Sequence, residues 1–290
     1  MAAAHLPDDP LAGWLRTTGT ARVLAVSGEI SVERDERLVG EEPLEIRACG
    51  PGHDPVDVAV TMRTPGAERE LAAGFLVSEG LVRPTDLAGA RFEAGDPARM
   101  AQPENEITVR LAGAFDASRV AERNFVATAS CGICGKASID DIAARCSPLG
   151  PGLVVGRSVL IGLPGSMRAA QSVFESTGGL HASALFTPAG ELVALHEDVG
   201  RHNALDKLIG AMALAGRVPL SGDVLLVSGR VSFEIVQKAA MAGIPILAAV
   251  SAPSALAVAT AARLNLTLIG FLRADRFNIY TGRERIDLNG

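Results

Sequence analysis

The chain has 290 residues, of which 48% are apolar and 21% are charged, and its formal net charge is −6 at pH 7. This composition is typical of a soluble globular protein and argues against non-specific nucleic-acid binding, which requires clustered Lys and Arg side chains. One Trp and one Tyr are too few for a base-stacking surface, and no uninterrupted apolar run has the length of a membrane span.

Residues 1–18 are expected to form a flexible tail, because they are rich in Ala, Pro and Asp. They lack the basic start and the long apolar run of a signal peptide. Four cysteines are also too few for a secreted disulfide scaffold of this size. We therefore expect a cytoplasmic protein, and in a reducing compartment a pair of closely spaced cysteines is usually metal-binding or catalytic.

Residues 19–125 are predicted to form a small α+β domain. Short β-like runs begin at Ala21, and "LEIRACG" and "DVAVTMRTPG" predict two further strands that end at glycine-containing turns. The stretch "AERELAAGFLVSEG" predicts a helix, because Leu71 and Phe75 share a face and Gly80 is a suitable stop. A Gly-, Pro- and Asp-rich patch then precedes a strand over "EITVRLAG".

The stretch "SCGICGKAS" places Cys131 and Cys134 two residues apart, with Lys136 just beyond them. An extended segment precedes the motif and a helical one follows, so the sulfurs are expected near the positive end of a helix. That position and Lys136 both favour the thiolate, the form that attacks sulfur or binds metal. Gly132 and Gly135 are expected to leave the loop exposed and mobile.

Four uses of these cysteines are compatible with the local pattern to different degrees. A structural zinc site needs two more ligands, and there is no second CxxC, although Cys146 and Cys49 could contribute. A zinc-dependent deaminase would carry an upstream HxE, which is absent. A redox dithiol and a sulfur carrier that holds a persulfide use the same thiolate attack. The motif by itself leaves these last two open.

Residues 126–290 are predicted to form a three-layer α/β domain. "LHASALFTPAGELVALHED" predicts a hairpin, and "VGRHNALDKLIGAMALAG" predicts a helix that ends at Gly216. Strand, helix, strand, helix and strand then follow. These last three strands are almost entirely apolar, which indicates parallel strands buried on both faces and joined by right-handed crossovers.

Ligands of such sheets bind at the carboxyl ends of the strands. Small hydroxyl residues and arginines follow three predicted strands here, in the stretches 228–230, 251–254 and 271–282. This coincidence favours a phosphate-bearing ligand, although Ser228 or Ser254 taken singly is better explained as a helix cap, and each arginine as a solvated surface residue. There is no Walker A or GxGxxG motif, which argues against an ATPase and a dinucleotide oxidoreductase.

A polar cluster precedes the predicted helix, in "LHEDVGRHNALDK". His196 and His202 are six residues apart, with Gly200 between them, so they cannot share a helical face as the ligands of a zinc protease do. Asp198 could cap the helix. His202 could instead point into the ligand crevice together with His181.

Long motifs in the chain resemble the FdhD family of formate dehydrogenase accessory sulfurtransferases. They include "VAVTMRTPG", "SCGICGKASI", "TGGLHASALF", "EDVGRHNALDKLIG", "SGRVSFEIVQKAAMAGIPILAAVSAPSALAV" and "LTLIGFLRADRFNIYTG". The resemblance implies a mixed α/β fold, with a cytidine-deaminase-like three-layer α/β/α domain and a smaller N-terminal α+β domain. It also implies a cytoplasmic homodimer without nucleic-acid or membrane partners.

The resemblance further implies a sulfur carrier. Cys131 would accept sulfur from a cysteine desulfurase as a persulfide, with Cys134 as its helper. The sulfur would go to the molybdenum of bis(molybdopterin guanine dinucleotide), the cofactor of formate dehydrogenase, and no metal of the protein's own is expected. The residues of the "FLRADR" loop would contact this cofactor: Phe271, Leu272, Arg273, Ala274, Asp275 and Arg276. The alternative is a cofactor-binding chaperone with a structural zinc or redox CxxC.

Overall fold

A computed structural model describes residues 17–98, 100–120, 146 and 148–290. Cys131, Cys134 and Lys136 lie outside the described residues, as do residues 1–16 of the predicted tail.

The N-terminal part begins with an antiparallel hairpin of β1 (Thr18–Ser27) and β2 (Ile30–Val39). The next strands are β3 (Glu42–Cys49), β4 (Val56–Arg63), β5 (Arg91–Ala94) and β6 (Glu106–Arg110), and they form a sheet in the order β4-β3-β6-β5. Helix α1 (Glu68–Ser78) ends just before Gly80, whose φ of 71° suits a residue without a Cβ. The predicted strands and helix of this part are confirmed.

The C-terminal part is built on a six-stranded sheet in the order β13-β12-β11-β10-β8-β9. Its strands are β8 (His181–Phe186), β9 (Leu192–Asp198), β10 (Val224–Val227), β11 (Ile246–Ala249), β12 (Thr267–Gly270) and β13 (Asn278–Thr281). The all-apolar strands β10, β11 and β12 are parallel, as predicted, while β8 runs antiparallel to β10. A short pair, β7 (Val155–Gly156) and β14 (Ile286–Asp287), closes the C-terminus.

Helices cover both faces of this sheet, which confirms the three-layer arrangement and the mixed α/β class. They are α2 (Arg157–Ala170), α3 (Ser172–Thr177), α4 (Arg201–Leu214), α5 (Phe233–Met241) and α6 (Ala255–Arg263). Because strand side chains alternate, Leu226 of β10 packs with α2 on one face, whereas Leu225 packs with α4 and α5 on the other. Helix α2 was not predicted from the sequence.

The two parts share one hydrophobic core through a close crossing of α1 and α4. Gly74 and Gly210 make this approach possible. A Cβ on Gly74 would lie 1.7 Å from the carbonyl oxygen of Asp206, and one on Gly210 would lie 1.8 Å from that of Glu70. The predicted domain division near residue 125 stays a prediction. No helix in the described ranges is long and apolar enough to cross a membrane.

A buried ion pair reinforces the junction between these helices. Lys238 Nζ on α5 lies 3.0 Å from both carboxylate oxygens of Asp206 on α4 and 2.7 Å from Glu79 Oε1. Ser78 donates its hydroxyl proton to Asp206 at 2.6 Å. Burial opposes the charge on Lys238, but these carboxylates outweigh it and raise the pKa of the ammonium group. The ammonium group therefore remains charged at neutral pH.

Lys238→Met is expected to lower the free energy of unfolding by roughly 3–5 kcal/mol, because it leaves the buried Asp206 carboxylate without its counter-ion. The double variant Asp206→Leu/Lys238→Met removes both charges and should recover most of this loss. Urea unfolding of the three proteins measures the effect. Equal stability of the two variants would show that the unpaired charge is not the cause.

Candidate functional site

The carboxyl ends of β10, β11 and β12 meet at one edge of the sheet, and the antiparallel β8 begins there. We call this edge the ligand edge, because the sequence predicts a ligand there. Ser228 continues the pairing of β10 with β8. Its hydroxyl accepts a hydrogen bond from the N–H of Ala182 at 2.9 Å, and its own N–H donates to the Ala182 carbonyl at 3.0 Å. Ser254, in contrast, caps α6 by accepting from the N–H of Ala257 at 3.1 Å. The capping interpretation is therefore confirmed for Ser254 and wrong for Ser228.

The predicted cofactor loop, residues 271–276, follows β12 at this edge. Phe271 has a φ of 54°, in the left-handed region, and 42% of its surface is exposed. A bulky residue in this region costs about 1–2 kcal/mol, and such strain is concentrated at functional sites. The turn is held by two hydrogen bonds, from Phe271 N–H to the Ser251 carbonyl at 3.1 Å and from Leu272 N–H to the Ala249 carbonyl at 2.9 Å. Leu272 is fully buried, whereas Phe271 faces solvent.

Hydrogen bonds of both backbone and side chain hold Arg273 in this loop. The N–H of Arg273 bonds the Arg276 carbonyl at 2.9 Å, and its Nη1 bonds the carbonyl of Val250. The backbone N–H groups of residues 271–273 are therefore already used. Arg273, Ala274, Asp275 and Arg276 are all exposed. An anionic ligand at this loop would meet the exposed side chains of Arg273 and Arg276.

Two cavities lie near this end of the sheet, and one of them is lined by residues of the loop. One, of about 560 Å³, reaches Val250, Ser228 and His181 and is also lined by residues of α2 and α3. On its wall the Arg168 guanidinium lies 4.2 Å from the centre of the Phe174 ring, a cation–π contact. The other, of about 620 Å³, is lined by Asp275 and Arg276 together with Arg157, Ile161, Phe277, Asn278, Ile279 and Leu288. Arg157, Arg168 and Phe174 escaped prediction because they lie on α2 and α3, which the sequence pattern did not reveal.

The structure brings His181 and His202 together beside the end of β10. Burial and the neighbouring Arg201 and His202 lower the pKa of His181. His202 Nε2 lies 3.0 Å from Glu234 Oε2 and 3.3 Å from Ser232 Oγ, at the start of α5. The His181 ring packs directly on Gly229, where a Cβ would lie 3.2 Å from Nδ1. His181 lines the edge where the carboxyl ends of the strands meet, whereas the His202 side chain also borders a groove beside β4.

Asp198 has a different role from the helix cap considered for it, and that interpretation is wrong. The first position of α4 is preceded by Gly200, and no side chain caps the helix. The buried Asp198 carboxylate instead lies 2.7 Å from Lys207 Nζ and accepts hydrogen bonds from the N–H groups of Gly200 and Thr64. It thereby joins the polar cluster to the end of β4. Arg230 is exposed at the end of β10.

The model of the FdhD/NarQ family matches residues 39–287. The chain belongs to this family. Its relatives include proteins named sulfur carrier protein FdhD from Streptomyces avermitilis, at 49% identity over 94% of this chain and 97% of the relative, and from Mycobacterium tuberculosis, at 46% over 93% and 98%. That from the more distant Sulfurisphaera tokodaii is 42% identical over 91% and 97%.

A crystal structure described as that of a formate dehydrogenase accessory protein, from Desulfotalea psychrophila, has the same fold. Its TM-score is 0.70 at 24% identity, and the match covers 93% of this chain and all of that one.

The other two cysteines of this FdhD/NarQ family member lie apart from the ligand edge. Cys49 is buried at the end of β3, with its sulfur 3.4 Å from Arg110 Nη1, and Cys146 is also buried. Among the described residues, no group of three His, Cys, Asp or Glu side chains is arranged to hold a metal ion.

Proposed function

We propose that this protein is a sulfur carrier that serves formate dehydrogenase and carries the sulfur on Cys131. The observation that carries the proposal is its similarity, over more than 90% of the chain, to proteins named sulfur carrier protein FdhD. The motif "SCGICGKAS" provides the thiol that such a carrier needs.

Loading is a thiol exchange with the persulfide of a cysteine desulfurase. The Cys131 thiolate attacks the outer sulfur of that persulfide, so that a new S–S bond forms on Cys131 while the S–S bond of the donor breaks. The donor cysteine leaves as a thiolate. The outer sulfur keeps its oxidation state, so loading requires no oxidant.

Release uses Cys134. Its thiolate attacks the inner sulfur of the Cys131 persulfide, which forms a Cys131–Cys134 disulfide and expels hydrosulfide with the electron pair of the broken bond. The hydrosulfide supplies the sulfido ligand of molybdenum. A cellular dithiol reductant then returns the disulfide to two thiols.

The substrate that receives this sulfur is bis(molybdopterin guanine dinucleotide), and the edge of the sheet suits it. The cofactor has two arms that carry phosphates. Arg273 bonds Val250 on the wall of one cavity, and Arg276 lines the other. Guanidinium groups bind phosphate through paired hydrogen bonds, so Arg276 is available to one arm and the remaining guanidinium donors of Arg273 to the other.

The proposal is tested with the purified protein, a cysteine desulfurase and cysteine. Mass spectrometry should show a gain of about 32 Da, the mass of one sulfur atom, reversed by a reductant. The loaded protein should then activate formate dehydrogenase that was produced without a sulfur carrier. No mass gain, together with stoichiometric zinc that survives dialysis, would instead support a cofactor-binding chaperone with a zinc site.

A further inference from the structure

Strand β4 leaves one edge of its sheet open. β3 pairs with it on one side, and within the described ranges no strand pairs with it on the other. Asn203 reaches that open side and donates its amide N–H to the Met62 carbonyl at 2.7 Å. Residues two apart in a strand direct their peptide groups to the same side. The N–H and carbonyl of Val60 therefore also point away from β3, towards the open side.

A groove of about 800 Å³ runs beside this edge. Phe75 of α1, Glu79 directly after this helix, the start of α4 and Glu234 of α5 also line the groove. An added strand could form backbone hydrogen bonds with the edge strand β4, and the groove would accommodate its side chains.

The groove is acidic. Its lining contains five carboxylates, of Glu41, Asp57, Glu79, Asp206 and Glu234, against the single ammonium group of Lys238 and the imidazole of His202. Lys238 pairs with Asp206 and Glu79, and Arg47 pairs with Asp57 at 2.9 Å, so Glu41 and Glu234 supply the excess negative charge. The hydrogen bond with His202 lowers the pKa of Glu234 below its ordinary value, despite burial, so this carboxylate is ionised at neutral pH. The groove therefore favours a cationic occupant.

Apolar side chains of β4 lie on the solvent-exposed face of the sheet. Val60 and Met62 are 70% and 48% exposed, on the solvent face of the sheet. In an added strand, successive side chains would point alternately to the acidic lining of the groove and to this apolar face. The complementary sequence alternates basic and apolar residues.

We propose that β4 and this groove, the β4 dock, bind an extended segment of a partner protein in which basic and apolar residues alternate. The segment adds to β4 as an antiparallel or parallel strand through the peptide groups of Val60. Its basic side chains face the acidic lining of the groove. This site is distinct from the loop of residues 271–276 and adds a partner-binding surface to the proposed sulfur carrier.

The test uses the full chain and a fluorescein-labelled nine-residue peptide of alternating lysine and valine, with binding followed by fluorescence anisotropy. Val60→Pro removes the N–H that points to the groove, without removing a donor to β3, and should weaken binding at least about tenfold. The matched control Val60→Thr keeps this N–H and should bind like the wild type. Val60→Lys keeps it too but adds a repelling charge, and it should also weaken binding.

Circular dichroism and the sulfur mass gain of each variant establish that it is folded and loads sulfur, which separates this test from that of the proposed function. A peptide with glutamate in place of lysine should not bind. Equal affinity of the wild type and Val60→Pro for the lysine peptide, or no binding by the wild type, would overturn the proposal. So would sedimentation showing that the wild type dimerises and Val60→Pro does not, because a second copy would then occupy the edge.

Discussion

Cys131→Ala is expected to abolish both the sulfur mass gain and the activation of formate dehydrogenase. The persulfide forms on this thiolate, and no other group in the proposed loading step can replace it. The substitution exchanges one small side chain for another, so the midpoint of thermal unfolding should stay the same. Mass spectrometry after incubation with a cysteine desulfurase and cysteine measures the loading, and an activity assay of formate dehydrogenase measures the delivery.

Two matched variants distinguish the cysteine that carries the sulfur from the cysteine that releases it and from a cysteine with neither role. Cys134→Ala should still gain the mass of one sulfur but release it slowly, because the attacking thiolate of the release step is missing. Cys146→Ala changes a buried cysteine and should load and deliver like the wild type. Undiminished mass gain in Cys131→Ala would place the persulfide on another residue and refute the assignment.

The long or fully apolar β-strands could be predicted from the sequence because their signals are local, whereas the short strands β5, β7, β13 and β14 were not predicted. Val224–Val227 and Ile246–Ala249 are short runs without a polar residue, and each is fully buried between two layers of helices. The position of the edge where the carboxyl ends of these strands meet follows directly, since parallel strands place those ends together.

Helix α2 escaped prediction because its local signals oppose a helix. It contains Pro164 and the glycines Gly162 and Gly165, all poor helix formers. Its stability comes from packing, since Leu160, Leu163 and Met167 are buried against the sheet. Tertiary contacts of this kind leave little trace in a short window of sequence.

The polar clusters were only partly predictable, since their partners are distant in the chain. Asp198 bonds the N–H of Thr64, and Asp206 bonds Ser78. No spacing rule links residues more than a hundred positions apart, so the motif suggested a local cap where the fold uses Asp198 to join two parts of the molecule. The proximity of His181 and His202 was anticipated, because both flank strands that reach the ligand edge.

Gly210→Ala is expected to destabilise the protein by at least about 3 kcal/mol, at the upper end for an overpacked core. The added methyl group would lie 1.8 Å from the carbonyl oxygen of Glu70 and 2.6 Å from the nitrogen of Gly74. These atoms belong to consecutive turns of α1, so the clash is with helical backbone and no side-chain rotation can relieve it. The two helices must separate, which disrupts the core they share.

Gly162→Ala is the matched control, because Gly162 lies within a helix but an added Cβ would meet nothing within 4 Å. It should stabilise the protein by up to about 1 kcal/mol through helix propensity alone. Urea unfolding of both variants therefore separates the steric effect from propensity, and the two should shift the midpoint in opposite directions. If Gly210→Ala were as stable as the wild type, α1 and α4 could not cross as closely as the structure shows, and the shared core between the two parts would have to be looser.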